Sequence, residues 1–253
     1  MPFEPRFGHA ADEFQRYRPD YPQALYDRIF AAVPEQNRRR AMDLGAGTGI
    51  VTAHLIRPFH EVIAVEPDAG MAAKIAERFP RVIIRNLTAE TCAQSADTVD
   101  LVTIANALHW MDAERVLANA RSWLRADGVL AVFDRPLPKA GPEIDAITLE
   151  QLRGPWKPHR DPLLKRDLNW EGRVRAAPGF ALIEEQRFSY VVSMSASDYV
   201  GFWRSTSYGS AYARTLADPE RYWSDLRSRF GNAAGGRGIA VDFSPTMILA
   251  RRL

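Results

Sequence analysis

The stretch Asp43-Leu44-Gly45-Ala46-Gly47-Thr48-Gly49 puts an acid near the end of a short apolar run and three glycines at alternate positions behind it. Glycine serves where the backbone must take φ > 0 or come close to a ligand. An apolar helical pattern starts after Gly49, and a helix start offers unpaired N–H groups and a positive dipole end. In this order the three parts make a nucleotide-binding turn. Glu66, 23 residues after Asp43, closes a second apolar run. A carboxylate there accepts hydrogen bonds from both hydroxyls of a ribose. His109 follows a third apolar run, and histidine is the side chain suited to proton transfer at neutral pH, which makes it the best-placed candidate general base.

These residues alone leave the nucleotide open. A dinucleotide fingerprint needs a glycine where this chain has Ile50, and no phosphate-binding G-x-x-x-x-G-K-[ST] loop is present. A nicotinamide dinucleotide therefore fits the turn imperfectly.

The elements that must hold these residues follow from periodicity. Residues 41–44, 61–66, 82–84, 99–105 and 129–133 read as strands. Between them lie a short helix from Ile50 that ends near Arg57, before Pro58, and a helix capped by Asp68 with Met71, Ile75 and Phe79 on one face. Asp112 caps a further helix that buries Val116, Leu117, Ala120 and Leu124. Alternation of this kind predicts an α/β, doubly wound parallel sheet, with the ligand beyond the carboxyl ends of the strands. The segments to watch are then 45–49, 66–68, 86–90, 105–110 and 134–136. Ahead of the first strand, a helical pattern over 10–33 is broken by Arg18-Pro19-Asp20-Tyr21-Pro22, with Pro22 suited to a first helical position and Asp20 or Tyr21 near the cap. Residues 1–8 read as a disordered tail.

After Phe133 the rhythm changes. Residues 134–178 hold seven prolines and two tryptophans, with a helical piece near 142–152. Residues 180–192 read as one strand, 196–230 as aromatic-rich helices, 231–238 as a flexible loop with four glycines, and 247–250 as a last strand.

A formal net charge of +2 over 253 residues implies no strong field for nucleic acid or an anionic membrane. Arg38-Arg39-Arg40 reads as a solvated loop. With Cys92 as the single cysteine, no internal disulfide is possible. No run approaches the ~18–20 apolar residues of a membrane span, and the N-terminus has no apolar signal core, so the expected location is cytoplasmic. His9, His54, His60 and His159 have no placement that suggests a metal site, and none is expected.

The glycine turn, with Val65-Glu66-Pro67-Asp68 and Met71, resembles motifs one and two of class I S-adenosylmethionine-dependent methyltransferases. Thr88-Ala89-Glu90 and Ser95 to Asp100 look like the adenine-side segment of that superfamily. Asn106-Ala107-Leu108-His109-Trp110-Met111-Asp112 resembles the His-Trp signature of the branch related to trans-aconitate methyltransferases, and Arg18 to Pro22 resembles the Arg-Pro-x-Tyr-Pro segment of the same branch. The resemblance is ordered from about residue 9 to 135 and weaker from 180 to 253. It implies a Rossmann-like class I methyltransferase fold: a seven-stranded, mostly parallel sheet with helices on both faces and a helical cap. It also implies one integrated domain, with a cofactor-binding core and N-terminal lid over 9–135. Residues 136–253 would give the cap plus the last sheet strands, about 180–192 and 243–251.

By position, the resemblance assigns S-adenosyl-L-methionine as cofactor, with S-adenosyl-L-homocysteine as product. Asp43 and the turn of Gly45, Ala46, Gly47 and Thr48 would hold the methionine moiety, and Glu66 the ribose. Pro67 and Ala89 would frame the adenine, with Glu90 toward its amino group. Asn106 would touch the cofactor, and Tyr17 and the segment to Tyr21 would lie over it. Cys92-Ala93-Gln94 departs from the apolar stretch usual there. Cys92 follows Thr91, not the proline that precedes the nucleophile of pyrimidine-C5 methyltransferases, and reads as a small buried residue.

The expected function is methyl transfer to an oxygen, nitrogen or carbon of a small molecule, with no nucleic-acid or membrane partner. Methylation of tRNA or protein, or cofactor binding without catalysis, are the other readings. Tyr21, Trp110, Arg135, Tyr199 and Trp203 are the candidate substrate-pocket residues. Tyr199, Phe202 and Trp203 share a helical face and serve equally well as cap core.

Overall fold

In the computed structural model, which describes residues 8–161 and 169–253, seven strands form one sheet in the order β3-β2-β1-β4-β5-β9-β6. These are β1 (Arg40–Leu44), β2 (Glu61–Val65), β3 (Ile83–Arg85), β4 (Val99–Ala105), β5 (Leu124–Asp134), β6 (Phe180–Arg187) and β9 (Thr246–Arg252). β1 to β5 pair in parallel, and β9 runs antiparallel between β5 and β6. This is the predicted Rossmann-like architecture. Strand order reverses between β1 and β4, so the ligand crevice belongs beyond Leu44 and Ala105.

The strands are apolar on both faces because helices cover both. On one side, Leu25 and Ile29 of α2 (Gln23–Ala32) and Val51 and Leu55 of α3 (Ile50–Leu55) bury Ala41, Leu101 and Phe133. On the other, Val116, Leu117 and Trp123 of α5 (Ala113–Trp123) bury Met42, Val102 and Leu130. Val174 of α7 (Trp170–Arg175) joins them. Adjacent strand residues alternate between the two cores, as the pleat requires. α4 (Ala69–Arg78) starts as expected: the Asp68 carboxylate accepts from the Gly70 and Met71 N–H groups. Asp112 caps α5 in the same way through Arg115 N–H.

The second half builds a cap with its own core. It contains α6 (Pro142–Arg153), α8 (Ala196–Arg204), α9 (Ser207–Ala213), α10 (Pro219–Ala233) and a two-stranded sheet of β7 (Val191–Met194) and β8 (Ile239–Asp242). Trp156, Tyr199, Phe202, Trp203, Trp223 and Phe230 pack together there. α1 (Ala11–Tyr17) lies against both halves, touching α4 and α8.

Several sequence expectations change. The strand expected over 180–192 is two: β6 joins the main sheet and β7 pairs only with β8. Residues 231–233 end α10, so the glycine-rich loop starts later. Pro22 is the residue before α2, not its first, and the Asp20 carboxylate accepts instead from the Tyr21 N–H and the Tyr26 hydroxyl. Arg38 is not loosely solvated: its guanidinium donates to the Phe30 and Val33 carbonyls at the end of α2. Of the expected tail only Gly8 falls within the described residues, where its N–H donates to Asp68.

Candidate functional site

β1 delivers the chain into three left-handed glycines, Gly45 (φ 69°), Gly47 (φ 58°) and Gly49 (φ 86°). At Gly45 the backbone also needs the room, since a Cβ there would lie 2.6 Å from the Ala107 Cβ. The loop after β4 thus packs directly on the glycine turn. At Gly47 the nearest neighbour is the Phe14 ring of α1, 3.6 Å from where a Cβ would be. α1 therefore covers the turn as a lid. A cavity of about 500 Å³ beside Leu117 and Ala177 and one of about 260 Å³ beside Glu13 and Trp223 lie elsewhere.

Two buried carboxylates flank the turn. Asp43, 1% exposed, accepts from the Thr52 hydroxyl at 2.6 Å and the Thr103 hydroxyl at 2.9 Å. Burial still pushes its pKa up to about 6. Glu66, 7% exposed, accepts from the N–H groups of Gly47 at 2.8 Å and Asp68 at 2.9 Å. Burial raises it to about 7, and the Asp68 and Asp43 charges push the same way. Neither acid has a cationic partner among the described residues. Beside them the Thr48 hydroxyl is buried with no partner among those residues. Buried carboxylates without a counter-charge are costly. The cradle therefore fits a ligand that brings positive charge and hydroxyl donors.

A second group gathers at the ends of β4 and β5. Asn106 takes φ 51°, and its side-chain carbonyl accepts from Arg135 N–H at 2.8 Å and lies 3.5 Å from the Tyr21 hydroxyl. Asp134 Oδ1 also accepts from Arg135 N–H, at 2.7 Å, and Oδ2 lies 3.3 Å from His109 Nδ1. The Trp110 ring stands 5.0 Å from the His109 ring. The Arg135 guanidinium stacks 3.8 Å over the Tyr21 ring, and its Nε and Nη2 are buried with no partner among the described residues. Burial raises Tyr21 to about 12. Arg18 donates to the Ser205 hydroxyl at 2.8 Å and lies between the Phe14 and Phe202 rings. Burial lowers its guanidinium to about 10, and the Arg135 charge acts in the same direction.

Asp43, Gly45, Ala46, Gly47, Thr48, Glu66, Asn106, Tyr21, Arg135, His109 and Trp110 all stand at the carboxyl end of the sheet, as the sequence predicts. Other residues need a closer description. The Tyr17 ring, expected over the cofactor, packs over Gly201 of α8, and the Phe14 ring is the one of α1 that lies beside Gly47. One Glu90 oxygen accepts from Asp112 N–H at 2.8 Å, so that oxygen helps fix the start of α5. Tyr199 and Trp203 are wholly buried against Phe230, Phe202 and Trp156 and belong to the cap core, not to an open wall. The Pro67 carbonyl accepts from the Asn86 amide at 3.0 Å and the Ala89 carbonyl from the Asn119 amide at 3.2 Å, two supports the sequence reading missed. Arg18, which opens the Arg-Pro-x-Tyr-Pro segment, was not among the sequence's candidate residues.

Comparison with known proteins fits this geometry. Residues 41–128 match the model of a methyltransferase domain family. A protein of Dictyostelium discoideum named as a methyltransferase is 27% identical over 99% of this chain and 96% of its own length. A Mycobacterium tuberculosis protein, also named as a methyltransferase, is 35% identical over 44% of each chain. The solved structure of a protein from Anaeromyxobacter dehalogenans that is named as a type II methyltransferase superposes with a TM-score of 0.73 at 26% identity, over 93% of this chain and 98% of the other. With the glycine turn, the acid after β2 and the sheet order in place, the chain has the Rossmann-like methyltransferase fold and is an S-adenosylmethionine-dependent methyltransferase.

Proposed function

We propose that the chain methylates a small molecule that carries an anionic group. The carrying observation is the pair of guanidiniums at the sheet end, Arg135 with two buried unpartnered nitrogens and Arg18 desolvated beside it. A buried cation without a counter-charge invites an anion, and a guanidinium binds a carboxylate or phosphate through paired hydrogen bonds. S-adenosylmethionine, when bound, supplies the activated methyl group of a sulfonium. Asp43, the turn from Gly45 to Thr48, and Glu66 would hold its methionine and ribose parts. Pro67, Ala89 and Glu90 would border the adenine, and Asn106 and the α1 lid would close over it. Proximity in a dry site supplies several kcal/mol towards such a displacement.

His109 would act as general base toward the acceptor, with Tyr21, Trp110 and Arg135 around it. The core over 9–135 and the cap over 136–253 would work as one domain. No helix among the described residues is long and apolar enough to cross a membrane. With its near-neutral charge, the protein is read as a cytoplasmic enzyme without a nucleic-acid partner. A macromolecular acceptor is the second reading, and covering of the turn by α1 counts against it.

The test is calorimetric. The S-adenosylhomocysteine complex is titrated with small mono-, di- and tricarboxylates and phosphate monoesters, and with their amide or neutral-ester analogues. Some anions should bind and their neutral analogues should not. Arg135→Met should weaken that binding about 30- to 100-fold, the worth of a charge-assisted bidentate pair. Equal binding of charged and neutral analogues, or an unchanged affinity in Arg135→Met, refutes the anionic reading.

A further inference from the structure

The ends of β4 and β5 hold a second arrangement that the proposed function does not require. Asp134 is fixed from one side. Its Oδ1 accepts from Arg135 N–H at 2.7 Å, and the same N–H is shared with Asn106 at 2.8 Å. The carboxylate cannot rotate without giving up that bond. Its other oxygen, Oδ2, is left facing His109 Nδ1 at 3.3 Å. Both side chains are largely withdrawn from solvent, 13% exposed for His109 and 19% for Asp134. A carboxylate only accepts, so a neutral His109 ring in this position carries its proton on Nδ1 and keeps the Nε2 lone pair. Among the described residues Nε2 has no hydrogen-bond partner.

We propose that Asp134 is a positioning residue that holds His109 in the tautomer able to accept a proton, so the methyl acceptor gives up a proton as it is methylated. This rests on the reading of His109 as general base. The O–H or N–H bond of the acceptor breaks, and its proton goes to His109 Nε2. The acceptor's electron pair forms the bond to the methyl carbon, the carbon–sulfur bond breaks, and the sulfonium becomes a neutral thioether. A carboxylate oxygen that is already ionised needs no such base. The arrangement therefore points to a hydroxyl or amine as the methylated group, with the anionic group serving as anchor. The same hydrogen-bond network reaches the segment between α1 and α2 through Asn106 and the Tyr21 hydroxyl.

The experiment reads the tautomer directly. In protein labelled with ¹⁵N-histidine, long-range proton–nitrogen spectra distinguish Nδ1–H from Nε2–H, and His109→Gln assigns the resonance. At pH 8 wild type should show Nδ1–H. In Asp134→Asn, Arg135 N–H still demands an oxygen at the Oδ1 position, so the amide nitrogen turns toward the ring and donates to Nδ1. His109 should then switch to Nε2–H, with the melting temperature held within a few degrees. Asp134→Ala should give the same switch. Calorimetry with S-adenosylhomocysteine accompanies each variant and should be unchanged within threefold. A wild-type ring protonated on Nε2, or a tautomer unmoved in Asp134→Asn, overturns the proposal. Failure of wild type to bind S-adenosylhomocysteine would instead strike the reading of the site itself.

Discussion

The sheet side and the lid side of the site carry opposite charge problems. On the sheet side, Asp43 and Glu66 are buried acids whose neighbours are hydroxyls and backbone N–H groups, with no cation beside them. On the lid side, Arg18 and Arg135 are cations whose neighbours are aromatic faces and a serine, with no acid paired to either guanidinium among the described residues. Each half alone is a costly arrangement. Together they are the basis for proposing a cationic cofactor against the sheet and an anionic acceptor against the lid. The methyl group would move between them. The two sides are also built differently. The acids sit on strand ends and a glycine turn, where the backbone fixes them. The arginines sit on α1's exit and after β5, where side-chain packing places them.

The largest effect should come from breaking the sheet side. Glu66→Ala removes the acceptor proposed for both ribose hydroxyls and releases the Gly47 and Asp68 N–H groups. Hydrogen bonds to a charged group are worth about 1.5–3 kcal/mol each. Two of them lost should weaken S-adenosylhomocysteine binding by about 100-fold or more in calorimetry. Titration of the same variant with the anionic acceptor analogue should show a much smaller change. Equal losses on both ligands would mean that the two charge sites are one.

The sheet side was legible in the sequence because its chemistry is local. An apolar run, an acid and glycines at fixed spacing declare Asp43, Gly45 and Glu66 without knowledge of the rest of the fold. The sheet and its helices follow from the same periodicity. The lid side was not legible in this way. Tyr17 and Phe14 lie on the same short helix, and only packing against Gly201 and Gly47 decides which ring meets the turn. Arg18 is tied to Ser205, 187 residues away, a contact no spacing announces. Tyr199 and Trp203 show the same limit from the other side. A helical stripe of aromatics is equally a pocket wall or a core, and here the helices of the cap close on it. The split of 180–192 between two sheets likewise depends on where β8 and β9 lie, not on the strand's own residues.

A change of pH tests the acids with no mutation. Asp43 and Glu66 have folded pKa values of about 6 and about 7, raised by burial above the ordinary carboxylate range. The folded state therefore holds these protons more tightly than the unfolded chain. The stability this contributes is complete below the unfolded values and is lost as pH rises through 6 and 7. Cofactor-free protein should lose about 2 kcal/mol between pH 6 and 8 from the two groups together. Urea unfolding at the two pH values measures it, and Glu66→Gln should remove most of the slope. The cofactor should reverse the trend, since hydroxyl donors favour the ionised acid. Its affinity should rise over the same window, with proton release on binding. A flat stability profile would mean that the acids are already compensated within the chain and that the sheet side carries no charge problem.

The smallest effect probes the arginines in the same currency. If the Arg135 guanidinium is an uncompensated cation in the ligand-free protein, replacing it with an uncharged chain of similar length should relieve a cost. Methionine keeps the stem's contact with the Tyr21 ring and leaves the Arg135 backbone N–H, and so the Asn106 and Asp134 bonds, untouched. Removing a buried charge that has no partner stabilises, whereas removing one half of a satisfied pair costs several kcal/mol. Arg135→Met should therefore raise unfolding stability by about 1 kcal/mol at pH 7 while it loses affinity for the anion. Chemical denaturation of the ligand-free variant measures the gain. A loss of stability of that size would show that the guanidinium is already paired, and the opposition between the two sides of the site would fall with it.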